Sequence, residues 1–155
     1  MSRVTVIGAG AWGTTLAQVL CDAGNEVLLW ARNKELVDEI NSSHTNRKYI
    51  GELKLPENLS ATSEIEKALS FSDIYVLAIP TQQLRQALLD WKGIANLDAV
   101  VVSTLKGIEL TSDLRVSEVV HQIWGEVKFA LITGPNLADE LILRQPAGAV
   151  VASSK

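Results

Sequence analysis

The feature that most constrains this chain is a glycine-rich segment near its start, residues 8–13, which reads GAGAWG and matches G-x-G-x-x-G. It follows RVTVI, a β-branched run that predicts a strand, and it opens a stretch whose apolar residues recur at helical spacing. In this strand–turn–helix context Gly8 permits a tight turn, Gly10 lets the backbone approach a pyrophosphate, and Gly13 allows close helix–strand packing. The segment therefore predicts a dinucleotide-binding turn.

Short apolar segments alternate with helix-patterned stretches along the whole chain. Strands are predicted at Arg3–Ile7, Glu26–Trp30, 59–62, 73–79, 99–104, Lys128–Thr133 and 148–153. Helices are predicted at 12–23, from 31 to about 40, 64–69, 81–91 with Thr81 as its cap, 114–124, and from 136 to about 143, whereas 41–58 predicts an irregular segment. Near-continuous apolar strands separated by helices require a sheet covered on both faces. We therefore expect residues 1–155 to form one α/β domain, a doubly wound Rossmann-like, mostly parallel sheet with helices on both faces.

Composition and charge exclude several classes of protein. The chain has 155 residues, is 47% hydrophobic and carries a net charge of −4 without a Lys/Arg cluster, which argues against disorder and against nucleic-acid partners. No apolar run approaches the ~20 residues that cross a membrane, so no integral membrane segment is expected. A single cysteine, Cys21, excludes an internal disulfide and suits a reducing, cytoplasmic location. Two widely spaced histidines with this one cysteine predict no metal site.

The residues after the second predicted strand bear on the choice of cofactor. An NAD-specific domain usually places Asp or Glu about 20 residues after the glycines. This chain instead reads LWARN at 29–33, where Arg32 can hold a 2′-phosphate by forked hydrogen bonds and stack on adenine. NADP(H) is therefore favoured, while NAD(H) stays open because an arginine stacked on adenine suits it as well.

Six motifs together make essentially the whole chain resemble one known family. They are GAGAWGT at 8–14 (G-x-G-x-W-G-T), LWAR at 29–32 (L-W-x-R), Asn41, His44, Asn46, Tyr49 and Leu55-Pro56 (N-x-x-[RH]-x-N-x-x-Y-L-P-x-x-x-L-P), DIYVLAIPTQQLR at 73–85 (D-x-x-x-x-A-V-P-S-x-x-L-R), KGIE at 106–109 (K-G-[IL]-E) and GPNLADE at 134–140 (G-P-[ST]-x-A-x-E). The chain resembles the N-terminal domain of bacterial NAD(P)-dependent glycerol-3-phosphate dehydrogenases. It departs from the pattern at three places: Ala11 stands where the family often has Ser, Gly51-Glu52 where it usually has Pro-Gly, and Asn136 where it usually has Ser or Thr. We expect Asn136, together with Asp139, to cap the next helix.

This resemblance implies an activity and a set of site residues. The family reduces dihydroxyacetone phosphate, a small-molecule substrate, to sn-glycerol 3-phosphate with NAD(P)H for glycerophospholipid synthesis. By the same resemblance Ala11, Trp12, Arg32, Asn33, Tyr49 and Ala138 contact the cofactor, Lys106 contacts cofactor and substrate, and Gly134 and Asn136 bind the substrate. The family's proton-donating lysine lies in a C-terminal helical catalytic domain beyond this segment, so no catalytic residue is assigned in this chain and little or no turnover is expected from it alone. A homodimer is compatible with the full-length form.

The residues support two of these assignments on chemical grounds. Lys106 follows a predicted strand end, where ligands bind in open α/β sheets and where an ammonium can polarise a ketone oxygen or hold a phosphate. The segment 134–136 places helix-terminal amides at a second strand end. Two alternatives remain: another two-domain dehydrogenase of the 3-hydroxyacid or 6-phosphogluconate type, and a non-catalytic NADP(H)-binding module.

Overall fold

A computed structural model describes residues 1–153 of the chain, which fold around a seven-stranded β-sheet. The strands are β1 (Arg3–Ile7), β2 (Glu26–Trp30), β3 (Ser60–Thr62), β4 (Ile74–Leu77), β5 (Val100–Ser103), β6 (Lys128–Thr133) and β7 (Val150–Ser153). Their order across the sheet is β3-β2-β1-β4-β5-β6-β7, with every pairing parallel except the antiparallel pair β6–β7. The predicted doubly wound, mostly parallel sheet is confirmed.

Seven helices connect these strands in the described part of the chain. They are α1 (Ala11–Asp22), α2 (Lys34–Ser43), α3 (Arg47–Ile50), α4 (Ile65–Phe71), α5 (Thr81–Trp91), α6 (Val116–Trp124) and α7 (Ala138–Ile142). The prediction of an irregular segment at 41–58 is wrong in part, because α2 continues to Ser43 and the short α3 follows. A left-handed His44 (φ 50°) ends α2 and redirects the chain into α3.

The two faces of the sheet bury separate apolar clusters, because successive strand side chains point to opposite sides. In β1, Val4 and Val6 pack with α1 and α2, whereas Ile7 packs with α4, α5 and α6. The second cluster includes Trp91, whose ring meets that of Trp30 edge to face at a centroid distance of 5.5 Å. Helices therefore cover both faces, as predicted, and the strand ends are left to form the site.

Buried polar residues of α1 are explained by its contact with α7. The side-chain amide of Gln18, which is fully buried, donates to the carbonyl oxygen of Ile142 at 2.9 Å. The hydroxyl of Thr15 donates to the carbonyl oxygen of Ala11 at 2.8 Å within α1 and also lies 3.5 Å from the carbonyl oxygen of Ala138 in α7. Buried polar groups almost always have such partners, so these residues favour the packing of α7 against α1.

Two predicted helix caps are wrong. Thr81 is the first residue of α5, Pro80 holds the N-cap position, and the Thr81 hydroxyl donates instead to the carbonyl oxygen of Lys106 at 2.8 Å. Asn136 does not cap α7, because that helix begins at Ala138 after Leu137 and no side chain among the described residues caps it. Asn136 thus lies one residue too early to reach the amides of the first turn.

Candidate functional site

A cavity of about 1030 Å³ opens at the carboxyl edge of the sheet. Its wall takes residues from four strand ends, at 8–12 after β1, 30–33 after β2, 78–81 after β4 and 104–106 after β5, and also from α3 and the start of α7. The chain order reverses beside β1, whose neighbours are β2 and β4. Open α/β sheets bind ligands at this edge and at this reversal. The volume is at the upper end of the range for small-molecule and cofactor sites.

The three glycines of the turn meet different surroundings. Gly8 has φ +118°, and a methyl group built on it would lie 2.5 Å from the carbonyl oxygen of Ala78. A methyl group on Gly13 would overlap the carbonyl oxygen of Gly8, so α1 approaches the turn as closely as the sequence predicts. A methyl group on Gly10 would meet nothing within 4 Å, and its backbone is open to the cavity.

The amides at the amino terminus of α1 donate to no capping side chain among the residues that the structure describes. Gly10 holds the N-cap position, and among residues 1–153 no side chain caps the helix and no acid lies in its first turn. The first amides of a helix lack intrahelical acceptors and carry the positive end of its dipole. Because Ala11 and Trp12 line the cavity, this end of α1 is suited to bind an anionic group there.

The charged side chains of the cavity are all basic. Arg32, Lys48 and Lys106 line it, and no Asp or Glu of the described residues does, although the chain as a whole carries a net charge of −4. Arg32 follows β2 and Lys106 follows β5, which are three positions apart in the sheet and thus separated by about 14 Å. Positive charge at both ends of a lined cleft attracts an elongated anion.

The loop that carries Lys106 is held against α5 by side-chain hydrogen bonds. The hydroxyl of Thr81 donates to the Lys106 carbonyl oxygen, and the Gln82 side chain donates to Ile108 at 2.9 Å and accepts from the amide of Leu110 at 3.0 Å. The Lys106 ammonium in turn donates to the carbonyl oxygen of Gly134 at 3.5 Å. These bonds fix the backbone of residues 106–110 and so fix where the ammonium emerges.

A forked ion pair completes this support. The guanidinium of Arg85 donates to Glu109 through Nε at 2.9 Å and through a terminal nitrogen at 2.8 Å, and the Ser112 hydroxyl also donates to the carboxylate. The guanidinium holds the pKa of Glu109 below its ordinary value of 4.5, and Ser112 reinforces the effect. The Glu109 side chain is only 6% exposed, so the pair anchors the loop from inside. Both residues belong to motifs quoted above, but their pairing was not predicted.

The predicted site residues converge on one cavity. Those that line it are Gly8, Gly10, Ala11, Trp12, Arg32, Asn33, Tyr49, Lys106, Asn136 and Ala138. Gly13 packs beneath the turn, and Gly134 lies behind Lys106. The Oδ1 atom of Asn136 is buried and has no hydrogen-bond partner among the residues that the structure describes, so this atom is available to a ligand.

Two further residues shape the site and were not predicted to do so. Lys48 adds a third cation to the wall. Asn46 is fully buried and donates to the carbonyl oxygen of Ala9 at 3.1 Å and to Thr14 Oγ1 at 2.8 Å, which ties α3 to the glycine turn. The signal for Lys48 was its place beside Tyr49, which the motif had already assigned to the cofactor.

The fold and this cavity define a Rossmann domain of the dinucleotide-binding class, in which a glycine turn and a helix amino terminus meet at the sheet's reversal point. Residues 3–155 match the family model described as NAD-dependent glycerol-3-phosphate dehydrogenase N-terminus, and the chain belongs to this family. The predicted family is confirmed, and the alternative of a 3-hydroxyacid or 6-phosphogluconate dehydrogenase is set aside.

Similar proteins agree with this assignment. The chain is 46% identical over 154 residues to a glycerol-3-phosphate dehydrogenase [NAD(P)+] of Corynebacterium jeikeium, covering 98% of the chain and 46% of that protein. It is 47% identical over 152 residues to one of Streptomyces avermitilis, covering 97% and 45%. A crystal structure of glycerol-3-phosphate dehydrogenase from Coxiella burnetii superposes with a TM-score of 0.92 at 28% identity, covering 99% of this chain and 47% of that one. The chain thus spans about half the length of its relatives.

The described residues hold few other candidates for chemistry. No three His, Cys, Asp or Glu side chains among residues 1–153 are placed to share a metal ion. Within the same range, no helix has both the length and the apolar character required to cross a membrane. Cys21 is a buried residue of α1, and burial together with Asp22 raises the pKa of its thiol to about 11. The candidate chemistry therefore concentrates in the cavity at the carboxyl edge of the sheet.

Proposed function

We propose that the chain is the cofactor-binding part of a glycerol-3-phosphate dehydrogenase, which reduces dihydroxyacetone phosphate to sn-glycerol 3-phosphate with NAD(P)H and so supplies glycerophospholipid synthesis. The observation that carries this proposal is the cavity itself: it is lined by the family's motif residues, has cations at both ends, and faces the open amino terminus of α1. Family membership supports the choice of reaction.

The residues present fit a dinucleotide. The open backbone at Gly10 leaves room for a pyrophosphate beside the amides of α1. Arg32 follows β2, the position from which dinucleotide-binding domains contact the 2′-substituent of the ribose. The unpartnered Oδ1 of Asn136 offers an acceptor at the opposite wall. When bound, the reduced nicotinamide supplies a hydride to the substrate carbonyl carbon.

The role of the protein in that reaction is to bind and orient. Lys106 emerges at the β5 end, where its ammonium can hold a phosphate or stabilise negative charge that develops on a ketone oxygen. Its backbone is fixed by α5, so the charge is preorganised. Gly134 and Asn136 lie beside it as the proposed substrate contacts. The proton donor is expected outside this chain, in the helical domain of the longer relatives.

Binding can be measured on the chain as it stands. Because Trp12 and Trp30 both line the cavity, NADPH or NADH should quench tryptophan emission, and the Trp12→Phe variant should bind with similar affinity by calorimetry while losing the part of the quenching that comes from Trp12. The matched control is Trp124→Phe, since Trp124 lies in the core and does not line the cavity. Failure of both nucleotides to bind the wild-type chain would refute the proposal.

Turnover separates an enzyme part from a non-catalytic binding module. We expect the 155-residue chain alone to show little or no dihydroxyacetone phosphate-dependent oxidation of NADPH, and a fusion to the remaining half of the Corynebacterium jeikeium relative to restore it. A fusion that folds and binds NADPH but lacks turnover favours the non-catalytic module. Rapid turnover by the chain alone would show that the proton donor lies within it.

Family membership also suggests an oligomeric state and a cellular location for the full-length protein. The small-molecule substrate requires no nucleic-acid partner, and we infer a cytoplasmic enzyme that dimerises in its full-length form. Sedimentation of the fusion protein tests the second point.

A further inference from the structure

Most basic residues between α2 and β3 already have partners within the protein. The guanidinium of Arg47 lies 3.5 Å from the carboxylate of Glu39 and 3.0 Å from that of Glu52. The ammonium of Lys54 donates to the carbonyl oxygen of Ser43 at 2.9 Å. Neither Arg47 nor Lys54 lines the cavity, so their charges serve the local structure.

Lys48 differs from these neighbours in both respects. It lines the cavity, and among residues 1–153 it has no acidic partner. Its ammonium lies 5.2 Å from the ring centre of Tyr49, another cavity residue, in a cation–π contact. Arg32, which follows β2, also lines the cavity and lacks an acidic partner in this range. Two uncompensated cations therefore line the same cavity.

The backbone that carries Lys48 is fixed relative to the glycine turn. Asn46 immediately precedes α3, is fully buried, and donates to the carbonyl oxygen of Ala9 and to Thr14 Oγ1. From the other side the carboxylate of Glu39 accepts from the backbone amide of Arg47 at 2.9 Å. Because α3 is held to the same turn that approaches the pyrophosphate, Lys48 keeps a defined position along a bound dinucleotide.

We propose that Lys48 is a specificity-determining residue that, together with Arg32, holds the 2′-phosphate of NADP(H) and selects it over NAD(H). This inference rests on the proposed function, since it concerns the cofactor of that site. A phosphate monoester carries about −1.5 to −2 charges near pH 7, more than one guanidinium neutralises. Arg32 supplies the planar fork and Lys48 the compact point charge. NAD(H) lacks this phosphate, so Lys48 contributes nothing comparable to its binding.

The test compares dissociation constants for NADPH and NADH at one ionic strength on the 155-residue chain. Lys48→Met removes the charge and keeps most of the apolar stem; it should weaken NADPH binding about tenfold and change NADH binding less than about twofold. Lys48→Arg should keep the preference for NADPH. The matched control is Lys54→Met, which removes the same charge outside the cavity and should alter NADPH binding less than about twofold.

Each result decides a different point. Equal weakening of NADPH and NADH in Lys48→Met overturns the inference, because the residue would then act on a shared part of the cofactor. An equal effect of Lys48→Met and Lys54→Met on NADPH also overturns it, because net charge alone would account for the change. If the wild-type chain binds both cofactors and Lys48→Met keeps the wild-type ratio of the dissociation constants for NADPH and NADH, only this inference fails. If the wild-type chain binds neither, the proposed function fails with it.

Discussion

Exchanging Gly10 and Gly13 for alanine, one at a time, separates ligand approach from packing in the phosphate-binding turn. Gly10 has φ −71° and ψ −178°, which any residue adopts, and an added methyl group would meet nothing within 4 Å. Gly10→Ala should therefore change the free energy of unfolding by less than about 1 kcal/mol, because the lower entropy of the unfolded chain is offset by the poorer suitability of alanine for the N-cap position. The same methyl group would occupy open space in which we propose that a pyrophosphate binds.

At Gly13, in contrast, an added methyl group should destabilise the fold. The methyl group would overlap the backbone oxygen of Gly8 and lie 3.1 Å from Cβ of Ala78, so α1 must move away from the turn. Overpacking of this kind costs up to about 3 kcal/mol, and better helix propensity returns about 1 kcal/mol. We expect a net loss of about 2 kcal/mol, equivalent to a fall in Tm of roughly 4–8 °C for a domain of this size.

Urea unfolding followed by tryptophan emission gives the stabilities, and NADPH titration gives the affinities. Gly10→Ala should unfold near the wild-type midpoint yet bind NADPH at least about tenfold more weakly, a loss of about 1.4 kcal/mol. Wild-type affinity in Gly10→Ala would show that the pyrophosphate does not approach this residue. Wild-type stability in Gly13→Ala would show that α1 can shift freely, contrary to the packing argument.

The remaining predictions concern two buried groups. Glu109→Gln leaves the Arg85 guanidinium without its carboxylate and should lower the free energy of unfolding at pH 7 by about 2–3 kcal/mol. Because the folded-state pKa of Glu109 lies below its ordinary 4.5, the carboxylate stabilises the fold above that value and loses its effect as pH falls through the folded-state pKa. The difference between wild type and variant in urea unfolding should therefore shrink below about pH 4.5, and a growing difference would contradict the pairing. With its pKa raised to about 11, Cys21 should react with a thiol reagent at pH 8 only as fast as the fold opens; labelling at the rate of a free thiol would contradict its burial.

Local sequence patterns account for the elements whose folding depends on their own residues. β1, β2 and β6 have the predicted bounds, and β1 and β2 do so because their β-branched and apolar runs are buried on both faces of the parallel part of the sheet. The glycine turn was predicted because backbone approach and close packing require glycine at fixed spacing. The helix predicted at 114–124 ends as predicted, because Gly125 follows it with a φ of +80°, which favours glycine.

Elements that depend on distant contacts were missed. The short α3 lies in a polar segment without helical periodicity, and Asn46 anchors it through acceptors at Ala9 and Thr14, more than thirty residues earlier. The pair Arg85–Glu109 joins residues 24 positions apart, and no local pattern encodes it. Such partners become visible only once the topology has placed α5 beside the end of β5.

The two cationic ends of the cavity are supported by networks that share no residue. At the β2 end, Lys48 depends on the buried Asn46 and hence on the glycine turn. At the β5 end, Lys106 depends on α5 through Thr81 and through the Arg85–Glu109 pair. Because the two networks have no residue in common, we expect the two ends to contribute to binding almost additively. The proposed choice between NADP(H) and NAD(H) can therefore change at one end of the cavity while the proposed substrate-side charge at the other stays in place.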